Sequence, residues 1–172
     1  MLQIGLISDT HGWLDPQIAR HLAHCDELWH AGDFGDGVPE QLEALRQHTA
    51  INTIRGVYGN IDGREVRQHF PDEDLLFECG GLRVLMRHIG GYPPRYNTAS
   101  KALLLQHRPQ LFIAGHSHIL KVQYDAALSC LHLNPGAAGR HGWHQVRTLL
   151  RFAIADGRPT NLELVELGTR GG

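Results

Sequence analysis

The chain opens on a short apolar run, Leu2-Gln-Ile-Gly-Leu-Ile, that stops at the polar residues Ser8 and Asp9. Branched residues in a short run bounded by polar ones predict a buried strand. Asp15-Pro16 then predicts a helix to about His24, with Asp15 as N-cap and Pro16 at the first helical position. Glu27–His30 reads as a second strand, ending at Gly32-Asp33. Val38 to His48 reads as a helix with Leu42 and Leu45 on its inner face, and Ile51–Val57 as a third strand ending at Gly59-Asn60. That alternation implies a parallel sheet with crossover helices. In the second half, Leu75–Cys79 and Leu82–Met86 flank Gly80-Gly81, a hairpin signal. A helix from about Ser100 to His107 feeds the strand Gln110–Ala114. Leu120–Asp125 with Ser129–Leu133, and Leu149–Ala155 with Leu162–Leu167, complete two more hairpins. The expected fold is α/β, with parallel strands early and antiparallel strands late.

No repeat, low-complexity tract or linker divides the 172 residues, so residues 1–172 are expected to form one domain. With 42% apolar and 20% charged residues, the composition is that of an ordinary globule. Lys+Arg 16 against Asp+Glu 18 gives a formal charge of −2, which argues against nucleic acid as a partner, as does the lack of a recognisable nucleic-acid-binding domain. No apolar run is long enough for a transmembrane helix, and no membrane partner is expected. Three widely spaced cysteines without a C-x-x-C pair read as buried thiols, and no secretory signal is visible. A cytoplasmic location is the expectation, and a homo-oligomer stays open.

Thirteen histidines change the picture, because histidine is the commonest metal ligand. Ligands in open α/β folds sit beyond the carboxyl ends of parallel strands. At those ends stand Asp9-Thr10-His11, Gly32-Asp33, Gly59-Asn60, His88 and Gly115-His116-Ser117-His118. Singly, each has a plain explanation: a helix cap, an ordinary turn, a left-handed turn, a satisfied core histidine. Five strand ends that all deliver Asp, His or Asn are not explained so simply.

The ordered set D-x-H, G-D, G-N, H and G-H-x-H resembles the signature of the calcineurin-like binuclear metallophosphoesterases. The elements His30-Ala-Gly-Asp33, Gly59-Asn-Ile-Asp62 and Asn134-Pro-Gly136 are similar to those of the family's small bacterial and archaeal phosphodiesterases. The resemblance implies a four-layer α-β-β-α sandwich of two mixed sheets. It also implies two metal ions: Asp9, His11 and His118 on the first, Asn60, His88 and His116 on the second, and Asp33 bridging both. Mixed imidazole and carboxylate ligands suit Mn, Fe, Ni or Zn rather than Mg or Ca, with manganese the leading expectation. The implied reaction is phosphodiester hydrolysis of a small-molecule phosphoester, by a hydroxide that bridges the metals rather than by a side-chain nucleophile. Alternatives on the same fold are a phosphomonoesterase or nucleotide hydrolase, and a non-enzymatic protein-binding module such as a subunit of the retromer coat. An intact set of seven ligand positions favours the enzyme.

One departure from the family pattern bears on chemistry. Many members carry a histidine after the motif asparagine, where this chain has Ile61, which can neither protonate a leaving group nor contact phosphate. Asp62-Gly63 reads as a plain turn rather than as a group that orients a ligand histidine. His30 reads as a core histidine bonded within the sheet. His21, His24, His48, His69 and His107 fall on or near helices and read as solvated, and His132 lies in a strand before Asn134. His141 and His144 border the pocket if their loop folds back over it. Arg95 and Arg140 are candidates for contact with a substrate phosphate.

Overall fold

The computed structural model describes all residues from Met1 to Gly172. Strands β1 (Leu2–Ile7), β2 (Glu27–His30) and β3 (Thr53–Gly56) alternate with helices α1 (Gln17–His21) and α2 (Val38–Arg46). Helix α3 (Arg64–His69) follows, then β4 (Asp74–Cys79) and β5 (Leu82–Arg87). A two-strand ribbon, β6 (Gly91–Tyr92) and β7 (Arg95–Tyr96), leads into α4 (Thr98–His107) and β8 (Leu111–Ile113). Strands β9 (Leu120–Asp125), β10 (Cys130–Pro135), β11 (Val146–Ala155) and β12 (Arg158–Thr169) complete the chain.

Two five-stranded sheets form, in the orders β12-β11-β1-β2-β3 and β4-β5-β8-β10-β9. In the first, β1, β2 and β3 run parallel, while β11 pairs antiparallel with β1 (Leu6 opposite Leu150). The second also holds a parallel triplet, β5, β8 and β10, flanked by antiparallel β4 and β9. The expected hairpins are all present. The expected division into an early parallel and a late antiparallel half is corrected: both sheets are mixed. The reason is topological, since α4 carries the chain back over the second sheet so that β8 re-enters parallel to β5.

Alternation along the strands explains the layers. Ile4, Leu6, Trp29, Val84, Met86, Ile113, Leu133 and Phe152 fill the space between the sheets. On the outer face of the first sheet, Ile7 and Leu28 pack under Ile18, Leu22, Leu42 and Val66 from the helices. On the outer face of the second, Leu85 and Phe112 pack under Leu104 of α4. The result is the four-layer α-β-β-α sandwich that the resemblance implied.

Some local expectations shift. The first helix is only Gln17–His21 and its N-cap is Pro16 rather than Asp15, whose carboxylate accepts the Gln17 N–H at 2.8 Å. Helix α3 has no counterpart in the hydrophobic pattern, because six residues with Val66 alone buried carry no helical period. Asn97 caps α4 by accepting the Ser100 N–H at 2.8 Å. No helix is long and apolar enough to cross a membrane.

Candidate metal centre

Three strand ends of the first sheet and two of the second meet at one end of the sandwich. There Asp9, His11 and His118 form one cluster of potential ligand atoms within 4.8 Å of one another, and Asp33, His88 and His116 form a second. The two clusters touch. Asp33 Oδ2 lies 3.2 Å from His88 Nε2 and 3.5 Å from His11 Nε2, so this carboxylate stands between them. Asn60 lines the same opening, with His11, Asp33, Ile61, His116 and His118. All seven residues singled out at the strand ends therefore surround one site.

The backbone is bent to bring them there. Asp9, His11, Asp33, His116 and His118 all have positive φ, between 47° and 69°, a region that costs a residue with a Cβ about 1–2 kcal/mol. Such strain persists where the surroundings over-determine it. Asp9 N–H donates to the Gly32 carbonyl at 3.0 Å, His11 N–H to the Asp33 carbonyl at 3.1 Å, and Gly139 N–H to the Asp9 carbonyl at 3.1 Å. Close approach does the rest: a Cβ at Gly59 would overlap Asp33 Oδ1, so the third strand end reaches the site only with glycine there.

The hydrogen bonds orient the imidazoles. His144 Nε2 donates to the Gly139 carbonyl at 2.8 Å, which leaves its Nδ1 as an acceptor for His118 Nδ1–H at 3.3 Å. His118 thereby turns Nε2 toward Asp9 Oδ1, at 3.1 Å. His88 Nδ1 donates to the Ala31 carbonyl at 2.7 Å and likewise turns Nε2 inward. Such partners fix the tautomer of a metal-binding histidine. Asp9 Oδ2 is occupied by the Ser8 hydroxyl at 2.6 Å and the His116 N–H at 3.1 Å, leaving Oδ1 free.

The buried polar atoms without a hydrogen-bond partner are Asp9 Oδ1, His11 Nε2 and His88 Nε2. All three belong to this site. Leaving such atoms unpaired costs about 1–3 kcal/mol each, so their concentration here fits a site made for cations. The charge balance agrees. Burial alone would raise the Asp9 carboxyl, but the imidazoles of His11, His118 and His88 outweigh it and hold it well below the usual range. Burial would raise Asp33 as well, and His88 overcomes it. Burial would lower His88, yet Asp33 and Asp9 raise it, so without metal this ring holds a proton more tightly than usual. Between these carboxylates a positive charge, proton or metal, is favoured.

Residues behind the site brace it. Asp62 closes a turn, as expected, with its N–H on the Gly59 carbonyl at 3.1 Å, but it is also buried and its carboxylate accepts N–H groups from Gly59 at 2.7 Å, Gly35 at 2.9 Å and Phe34 at 3.2 Å. It ties the loop after β2 to the loop after β3, a role invisible until those loops are neighbours. His30 is a core histidine, as expected. Its Nδ1 accepts the Gly32 N–H at 3.1 Å, so Nε2–H donates to Thr10 Oγ1 at 2.9 Å, and Thr10 donates on to the Phe34 carbonyl. Burial pushes His30 down to about 3, so the ring is neutral.

The loop that carries His141 and His144 does fold over the opening. His141 packs 4.7 Å from the His11 ring, and Trp143 beside it is 99% exposed. Arg95 lines a cavity of about 430 Å³ that shares His116 and Ser117 with the metal site. Arg140 lies elsewhere. Its guanidinium stacks 3.6 Å from the Trp13 ring and donates to the Gly172 carbonyl, and it lines neither the opening nor that cavity.

A layered sandwich with a histidine–carboxylate cluster across the ends of both sheets is the architecture of a metallophosphoesterase-like fold. The chain belongs to the calcineurin-like phosphoesterase superfamily, whose domain profile matches residues 2–157. No curated protein sequence matches it. Among solved structures, zinc-complexed Vps29 from Entamoeba histolytica is 18% identical, with a TM-score of 0.68 over 96% of this chain and 99% of that one. A structure described as a novel archaeal phosphodiesterase is 18% identical, TM-score 0.70, over 96% and 100% of the two chains. A Streptococcus pneumoniae protein described as a predicted phosphoesterase is 22% identical, TM-score 0.67, over 99% and 90%. At these identities the likeness is one of fold.

Proposed function

We propose that the protein hydrolyses phosphodiesters with two divalent transition-metal ions, manganese foremost among Mn, Fe, Ni and Zn. Asp9, His11 and His118 hold one ion, Asn60, His88 and His116 the other, and Asp33 both. The observation that carries this reading is the set of unpaired buried atoms, Asp9 Oδ1, His11 Nε2 and His88 Nε2, gathered at one point. When bound, the ions supply Lewis-acid neutralisation of phosphoryl charge and lower the pKa of water toward neutrality. The protein's own residues do the positioning. His144 and the Ala31 carbonyl hold the ligand rings of His118 and His88 in the tautomer that faces inward, and Ser8 occupies the Asp9 oxygen that faces away.

Ile61 supports a diester rather than a monoester. It stands at the opening, 47% exposed, where an imidazole would protonate a leaving oxygen, and its N–H is spent on Asp33 Oδ1 at 3.1 Å. A monoester has a more basic dianion to accommodate and gains more from such a donor. A second reading, a protein-binding module, is supported by the exposed apolar residues Trp143, Ile119 and Ile61 near the opening and by the likeness to Vps29. The test is reconstitution with single metals, followed by rates on matched panels of phosphodiesters and phosphomonoesters. Anomalous scattering from crystals of the same preparation counts the ions. Two ions with faster diester turnover agree with the proposal; two ions with no hydrolysis favour the binding module, and none at all refutes the ligand assignment.

A further inference from the structure

The cavity of about 430 Å³ lies on the outer face of the second sheet, under the β6–β7 ribbon, and opens onto the metal site through His116 and Ser117. Its size falls within the usual range for a small-ligand pocket. Ile89, Tyr92, Tyr96 and Ile119 give it apolar and aromatic wall, and polar side chains complete the lining. Lys121, whose Nζ lies 3.8 Å from the centre of the Tyr92 ring, and Arg95 also belong to the lining and give it positive charge.

The lining includes one ring nitrogen that is open to the cavity and that no other group of the protein uses. His132 is 1% exposed and belongs to this lining. Its Nδ1 lies 3.1 Å from the Phe112 carbonyl, which can only accept, so the proton is on Nδ1. Nε2 is then a lone-pair acceptor, and no hydrogen bond within the protein reaches it. Burial pushes this ring down to about 4, so it stays neutral near pH 7. Along β10, His132 is two residues before Asn134, about 7 Å away. Asn134 Nδ2 donates to Ser117 Oγ at 3.1 Å, between the histidines of the metal site. His132 and the loop that carries His116 thus line one cavity, linked through Asn134.

We propose that this cavity takes the retained ester group of the substrate, an aromatic or nucleobase ring whose far edge carries an O–H or N–H donated to His132 Nε2. The inference rests on the diester reading, and it deepens that reading by naming the substrate class. Tyr92, Tyr96 and Ile119 receive the body of the ring, Lys121 and Arg95 attract the anionic phosphate, and the open acceptor of His132 selects for a donor. A phenolic ester and a nucleoside ester share this chemistry.

Four diesters with a common 4-nitrophenyl leaving group test the proposal. Their retained groups are 4-hydroxyphenyl, 4-methoxyphenyl, phenyl and thymidin-5′-yl, and kcat/KM is measured for each with the metal-loaded protein. The expected result is preference for 4-hydroxyphenyl over 4-methoxyphenyl by about tenfold, the worth of one hydrogen bond with a neutral acceptor. In His132→Phe that ratio falls to about one. Thymidinyl faster than 4-hydroxyphenyl identifies a nucleoside as the natural group, and the reverse order a phenol. A second arm needs neither catalysis nor a variant: the ¹⁵N resonance of His132 Nε2 in metal-free protein, titrated with 4-hydroxyphenyl phosphate and with phenyl phosphate. Only the hydroxylated ligand should shift it. A wild-type ratio near one together with an unmoved resonance overturns the proposal. If no diester is turned over, the diester reading fails and the resonance alone decides what the cavity binds.

Discussion

Replacing Asp62 with alanine should damage both the fold and the site, although Asp62 belongs to neither cluster of ligand atoms. Its carboxylate accepts three backbone N–H groups, from Phe34, Gly35 and Gly59, that flank Asp33 and Asn60. Alanine leaves all three donors without a partner in a buried place, at a cost of at least about 1 kcal/mol each, or about 3 kcal/mol together. For a chain of this length that lowers Tm by roughly 6–12 °C. Asparagine should fall between. Its one oxygen can replace Oδ2, which serves Phe34 and Gly59, while its amide then meets the Gly35 N–H donor to donor. Calorimetry of the three proteins gives the order wild type, Asp62→Asn, Asp62→Ala. Equilibrium metal binding by the same proteins should weaken in the same order, because Asp33, proposed to bridge the two ions, and the third strand end lose their common anchor. Asp62→Ala that melts within about 1 °C of wild type and binds metal equally well would refute the bracing role.

Asp33→Ala should be the most damaging single substitution at the site, since it removes the carboxylate that lies between the two clusters; metal content by mass spectrometry and diester turnover check it, and near-normal values for both would contradict the proposed bridging role. Bound metal should raise Tm and should be lost as pH falls, because protons compete for His88, which the carboxylates already hold above its ordinary pKa; a melt indifferent to chelator would count against the centre. His132 makes a separate contribution to pH stability. Its pKa is lowered on folding from 6.5 to about 4, so between those values the unfolded chain binds the extra proton and stability is lost as pH falls, with a slope that approaches about 1.4 kcal/mol per unit below pH 6. Urea unfolding of wild type and His132→Phe at pH 7, 6 and 5 should show the variant losing less stability, by about half that amount from pH 7 to 6 and nearly all of it from pH 6 to 5, and equal slopes would dispose of the claim. Ile61→His should accelerate esters with basic leaving groups more than nitrophenyl esters, by up to about 10²-fold if the new ring reaches the leaving oxygen. A wild-type rate that does not depend on leaving-group pKa would mean that another residue already supplies the proton.

The sequence alone was enough to place Asp9, His11, Asp33, Asn60, His88, His116 and His118 at strand ends, because a strand's limits and its exit polarity are local properties of the pattern. The elements of the sandwich were legible for the same reason: β1, β2 and the three hairpins each declare themselves over a few residues, whereas α3, with Val66 alone buried, does not. The pairing of β11 with β1 and the parallel entry of β8 beside β5 were not legible, since nothing in a strand's own residues names its neighbour. The same holds within the site. That Asp62 braces two loops, that His144 sets the tautomer of His118, and that His132 points an unused acceptor into a cavity all depend on residues far apart in the chain. Sequence determined which chemical groups stand at the ends of the strands. Tertiary structure decided which of them face one another, because hydrogen-bond direction and burial are set by neighbours that only packing of the two sheets brings together.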